Sequence, residues 1–147
     1  MKRIVILALA FAVAACGGTE EKTREVYRDP ALSPDLPFSS AVVVGDVIYL
    51  SGEIGRAPGT TSVVEGGAGP QTRQIFENYE ATLEKLGSGL EDIVKCTVFL
   101  EDMANYAAMN EAYAAAFPGD KPARSTMGVD GLALGAAVEI ECLAVKS

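Results

Sequence analysis

The chain has 147 residues, 49% of them hydrophobic and 22% charged. That composition fits one domain with its own core and excludes both a wholly disordered chain and a protein with many membrane spans. Twelve basic against 20 acidic residues give a net charge of −8, and there is no histidine. An acidic surface repels phosphate backbones, so nucleic acid is not expected as a partner. The lack of imidazole removes Ser-His-Asp and Cys-His catalysis and His-ligated metals.

Lys2 and Arg3 precede an uninterrupted apolar run from Ile4 to Val13, closed by Ala14, Ala15 and Cys16. Positive charge, a short apolar run and small residues before a cysteine predict a lipoprotein signal peptide over residues 1–15, with Cys16 as the lipidated residue. Gly17 after the cysteine resembles the signal for sorting to the outer membrane, so the expected location is lipid-anchored in the cell envelope, facing the periplasm. Ordinary secretion with Cys16 free is the alternative. Losing residues 1–15 removes two positive charges and no acid, which takes the chain from −8 to −10. Residues 16–25 are small and polar and read as a lipidated cysteine and a tether, with the domain occupying 26–147.

Pro30, Pro34 and Pro37 make the start of the domain an extended, irregular lead-in. Ala41–Val44 and Val47–Leu50 then read as a hairpin turning at Gly45-Asp46. Arg56 to Gly69 is Gly- and Thr-rich and is expected to be a surface loop. Ile75, Tyr79, Leu83 and Leu86 recur at helical spacing, which predicts a helix over 70–86. Ile93–Leu100 is β-branched and reads as a strand. Tyr106, Met109, Tyr113 and Phe117 mark a second helix over 104–117, stopped by Pro118-Gly119. Strands over 124–129 and 138–145 close the chain, the last alternating Val138, Ile140, Cys142 and Ala144 against Glu139, Glu141 and Leu143. This order predicts an α+β layer with both helices on one face of a mixed sheet. The other face is then left open, and oligomerisation through it is expected. Cys96 and Cys142 lie in strand-like runs and are either a disulfide or two buried thiols; spacing does not decide between them.

Several residues are of types that carry chemistry. Arg124, just after Pro122-Ala123, offers a guanidinium fork suited to a carboxylate, while composition favours a surface Arg paired with one of the 20 acids. Glu139 and Glu141 share a strand face, where an acid among apolar neighbours can handle protons, although a solvated acidic face is commoner. Ser51-Gly52 offers backbone N–H groups to an anion or forms a plain turn. Asn110 sits in mid-helix, where capping does not explain it. No phosphate loop or metal-ligand cluster is present in the sequence.

Six segments in order resemble the Rid (YjgF) family: Pro37-Phe38-Ser39-Ser40-Ala41, Val47 to Gly55, Gln71-Thr72-Arg73-Gln74, Leu90 to Lys95, Lys121-Pro122-Ala123-Arg124-Ser125 and Val138-Glu139-Ile140-Glu141. The resemblance implies a chorismate-mutase-like fold, and a homotrimer whose sheets form a central barrel with sites between subunits. It also implies hydrolysis of 2-imino acids or their enamine tautomers to 2-keto acids and ammonia, without cofactor or metal. By position, Arg124 would clamp the substrate carboxylate and Glu139 would activate water. Phe38, Ser51, Gly52, Asn110 and Thr126 would line the cleft. Phe38 stands where many members have Tyr, Thr126 where they often have Cys, and Glu53 where Gln is common. The implied partners are a small 2-imino acid or other carboxylate, further copies of the chain and, through Cys16, a membrane. A trimer that binds or scaffolds without turnover is the alternative function. The acidic charge argues against the family's endoribonuclease label.

Overall fold

The computed structural model describes residues 23–147, so the predicted signal peptide and Cys16 lie outside the described residues. Seven strands form one sheet: β1 (Arg24–Tyr27), β2 (Ala41–Val44), β3 (Val47–Leu50), β4 (Glu53–Ile54), β5 (Ile93–Leu100), β6 (Ala123–Gly128) and β7 (Val138–Val145). Their order is β1-β2-β3-β7-β5-β6, with β4 also paired to β7. The predicted mixed sheet arises because β5 and β6 run parallel while the other pairs are antiparallel. The chain forms β1 and β4 where no strand is predicted. Arg24 and Glu25, assigned to the tether, pair with Val44 and Val43. β1 opens on two charged residues and β4 has only two residues, so neither shows a strand pattern of its own, and the neighbouring strand is what orders them.

The hairpin turns where expected, at Gly45 and Asp46, with Gly45 at φ 60°. Helix α1 (Ala68–Lys85) starts two residues earlier than the spacing predicts. It stops in a Schellman motif, in which Ser88 N–H donates to Leu83 O (2.9 Å) and Gly87, at φ 72°, donates to Glu84 O (3.2 Å). Helix α2 (Tyr106–Ala116) follows a 3₁₀ turn at Met103–Asn105, where the Asp102 carboxylate accepts from Ala104 N–H at 2.8 Å. The two helices lie on one face of the sheet. Ile75, Phe76, Tyr79 and Leu83 of α1 and Met109 and Tyr113 of α2 are buried with Ile48, Val98, Leu100, Val138 and Ile140 of the strands. Phe76 sits edge-on to Tyr113 (5.3 Å) and Phe117 (5.0 Å) and locks the helices together. Among the described residues no helix is long and apolar enough to cross a membrane.

The face away from the helices is uncovered. Tyr49, Val145 and Met127 are exposed on it, and the partners given by the register, Leu143 beside Tyr49 and Phe99 beside Met127, are only half-buried.

Cys96 and Cys142 face each other across β5 and β7 with Cα atoms 4.1 Å apart, and they form a disulfide. The buried-thiol alternative is thus set aside by the register, which puts both side chains on the helix-covered face. The bridge links residues 46 apart, and loop-closure entropy assigns such a link about 4 kcal/mol as an upper figure. Urea unfolding of the Cys96→Ala/Cys142→Ala double variant is expected to show a loss of about 2–4 kcal/mol with a steeper slope, because the unlinked unfolded chain exposes more surface.

Candidate functional site

Between β3 and β4 the ladder to β7 is interrupted. β3 pairs with residues 143–145 of β7 and β4 with residues 139 and 140, leaving Ser51 and Gly52 as the corner between them. Ser51 ties this corner to the lead-in: its hydroxyl donates to Ser39 O (2.6 Å) and its backbone N–H to Ser40 O (3.0 Å). That N–H is therefore already used, which corrects the expectation that Ser51 offers it to an anion. From below, the buried Tyr79 hydroxyl shares its one hydrogen between Ser51 O (2.9 Å) and Ile140 O, holding both sides of the corner. Burial foremost, and then the nearby Glu53, Glu139 and Glu141 carboxylates, push the Tyr79 pKa well up, so it stays a phenol and a donor.

Above the corner lies a cleft of about 640 Å³ whose lining includes Phe38, Ser51, Gly52, Glu139 and Leu134. The Glu139 carboxylate lies over Gly52 so closely that a β-carbon there would collide with it. Partial burial, and secondarily Glu141, raise the Glu139 pKa. A carboxylate so placed is more basic than an ordinary glutamate, the direction that suits a general base for water. Gly52→Ala is expected to push the Glu139 side chain aside while the backbone stays as it is, because the obstacle is the end of a flexible chain. Steady-state assay should then show kcat falling about tenfold or more with Tm nearly unchanged.

Glu53 closes one wall of the cleft. Arg56 Nη2 donates to both of its oxygens (3.1 and 3.3 Å) and Asn78 Nδ2 to one of them (3.2 Å). Burial outweighs these partners, so the Glu53 pKa is still raised.

Arg124 lies elsewhere. It registers with Cys96 on β5, whereas Glu139 registers with Phe99, three residues along the same strand, so the two project from opposite faces of the sheet. The Arg124 guanidinium sits over the Tyr113 ring (4.6 Å to its centroid) and, farther away, over that of Tyr106 (5.8 Å). Nη2 donates to the Tyr106 hydroxyl (3.3 Å), and Nη1 contacts Met109 Sδ at 3.8 Å. Among the described residues Arg124 has no acidic partner. The acid-paired surface Arg that composition favours is therefore not what the chain builds. Thr126 registers with Val98, on the same face as Arg124, and its buried hydroxyl has no partner among the described residues. The buried Tyr113 hydroxyl is likewise unpartnered, with a pKa pushed up to about 12 by burial against the pull of Arg124. Half-buried Asn110 lies on α2 between Tyr106 and Tyr113, one turn from each.

The sequence-predicted residues thus fall into two groups: Phe38, Ser51, Gly52 and Glu139 at the cleft, and Arg124, Thr126 and Asn110 at the β6–α2 edge. Tyr79, Tyr106 and Tyr113 went unnoticed as site residues because helical spacing accounts for each as core, and no local signal shows what their hydroxyls and rings meet across the fold. The described residues hold no cluster able to ligate a metal.

The family model described as Endoribonuclease L-PSP matches residues 29–146. A RutC family protein of Pyrococcus horikoshii is 40% identical over 121 residues, which cover 82% of this chain and 96% of that one. The chloroplastic Reactive Intermediate Deaminase A of Arabidopsis thaliana is 35% identical over 134 residues, covering 91% and 72%. The solved structure of RidA from the Antarctic bacterium Psychrobacter sp. PAMC 21119 superposes with a TM-score of 0.75 at 37% identity, covering 82% and 97%.

Proposed function

Because the chain belongs to the Endoribonuclease L-PSP family, the Rid or YjgF proteins, we propose that it hydrolyses 2-imino acids to 2-keto acids and ammonia. At family level the relatives support imine and enamine deamination. The observation that carries the reading to this chain is Arg124: a cation fixed on an aromatic shelf, without an acid among the described residues, in a chain rich in acids. An unpaired, half-buried guanidinium is costly unless an anion completes it, and the carboxylate of a 2-imino acid does so through two parallel hydrogen bonds. With the carboxylate held, the C=N carbon faces a water that Glu139 deprotonates. As the water oxygen adds to that carbon, Glu139 passes the proton it took to nitrogen, giving a carbinolamine; the carbinol O–H proton then moves to nitrogen through the same carboxylate as the C–N bond breaks, releasing ammonia and the 2-keto acid.

Arg124 and Glu139 project from opposite faces, so one protomer does not bring both to one substrate. The reading therefore includes a homotrimer, with Glu139 of one copy meeting Arg124 of the next. The uncovered apolar sheet face supports assembly. The reading also includes export and lipid anchoring at Cys16, supported by the order of charge, apolar run and small residues over 2–16.

The test supplies imines in situ from an amino-acid oxidase, with semicarbazide competing for them. The protein should suppress semicarbazone formation. Undiminished semicarbazone from every imine, together with thermal stabilisation by 2-keto acids, would leave a carboxylate-binding protein instead. Because the raised pKa belongs to the base, kcat/KM should fall as pH drops through the Glu139 pKa, above that of an ordinary glutamate. Glu141→Gln, which removes the neighbouring charge, should move that acid limb to lower pH in a pH–rate profile.

A further inference from the structure

Leu134 is the one non-glycine at positive φ among the described residues (φ 56°, ψ 21°), held between Gly131 at φ 87° and Gly135 at φ 67°. It is also 60% exposed and lines the Glu139 cleft. A left-handed leucine costs on the order of 1–2 kcal/mol, and the leucine stays mostly exposed in return. Phe38, 49% exposed, and the half-buried Leu36 and Leu32 line the same cleft. The polar wall is already satisfied, since the Arg56–Glu53 pair and Asn78 bond to one another. It therefore leaves no free charge for a distal charged group on a ligand. A methyl side chain would fill little of the roughly 640 Å³ and forfeit contacts with these walls.

We infer that the cleft selects 2-imino acids with large apolar side chains, branched or aromatic, and that Leu134 is a specificity-determining residue which grips that side chain. This rests on the deaminase reading for the chemistry, though not for the shape of the ligand.

The test uses the full-length chain. Its kcat/KM is compared on imines derived from alanine, leucine, phenylalanine and glutamate, and its thermal stabilisation by pyruvate is compared with that by 4-methyl-2-oxopentanoate. The leucine and phenylalanine imines should exceed the alanine imine by about tenfold or more, and the branched keto acid should stabilise more than pyruvate. Leu134→Gly keeps the turn, because glycine takes positive φ freely, and should cut the leucine-to-alanine ratio about tenfold. Equal rates on all imines, or preference for the glutamate imine, overturns the inference while leaving the deaminase reading intact. So does an equal loss on every imine in Leu134→Gly accompanied by loss of assembly in native mass spectrometry, which would make Leu134 a contact between copies. No turnover with retained preference for the branched keto acid overturns the deaminase reading and sustains the inference.

Discussion

Arg124→Ala is expected to lower kcat/KM for 2-imino acids by on the order of 10²- to 10³-fold, the loss of two charge-assisted hydrogen bonds to the substrate carboxylate. The fold should hardly register the change. In the free protein the guanidinium meets the Tyr113 ring, the Tyr106 hydroxyl and the Met109 sulfur, and no acid among the described residues. Its removal therefore strands no buried carboxylate, and Tm should move by only a few degrees. Arg124→Lys separates charge from shape. An ammonium keeps the positive charge but not the planar fork, so it should recover only a small part of the lost activity. Full activity in the alanine variant would mean that the carboxylate is bound elsewhere.

The second large effect comes from mixing two inactive chains. If Glu139 and Arg124 serve one site from neighbouring copies, Arg124→Ala and Glu139→Gln alone each leave at most about a hundredth of the activity. Co-expressed, they should assemble mixed trimers in which some sites receive an intact Arg124 from one chain and an intact Glu139 from the other. Random assembly makes that about one site in four, so roughly a quarter of the wild-type rate should return. A site contained in one protomer would regain nothing on mixing. The opposite-face register of the two residues makes the experiment decisive, because no side-chain rotation carries either one through the sheet.

Much of the fold was legible in the sequence because it is written in local periodicity. The hairpin at Gly45-Asp46, the α1 stripe of Ile75, Tyr79 and Leu83 and the alternation of β7 each depend on residues within a few positions of one another, and the structure keeps all of them. β1 and β4 were not legible, since Arg24-Glu25 reads as part of a polar tether and two residues carry no period, and both strands are ordered by the edges that β2 and β7 offer. The fate of Cys96 and Cys142 was open for the same kind of reason: their pairing depends on the β5–β7 register, which joins segments 46 residues apart.

The sequence by itself determined the acidic, histidine-free chemistry, the helices on one face of a mixed sheet and, through six ordered segments, the family. Composition, short-range periodicity and motif order are all properties of the chain read along its length. Only the tertiary structure decided that Arg124 rests on tyrosines rather than on an acid, that Glu139 folds over Gly52, and that these two residues lie on opposite faces. Those facts depend on strand register and on which helix covers which face, and the packing of the whole core sets both.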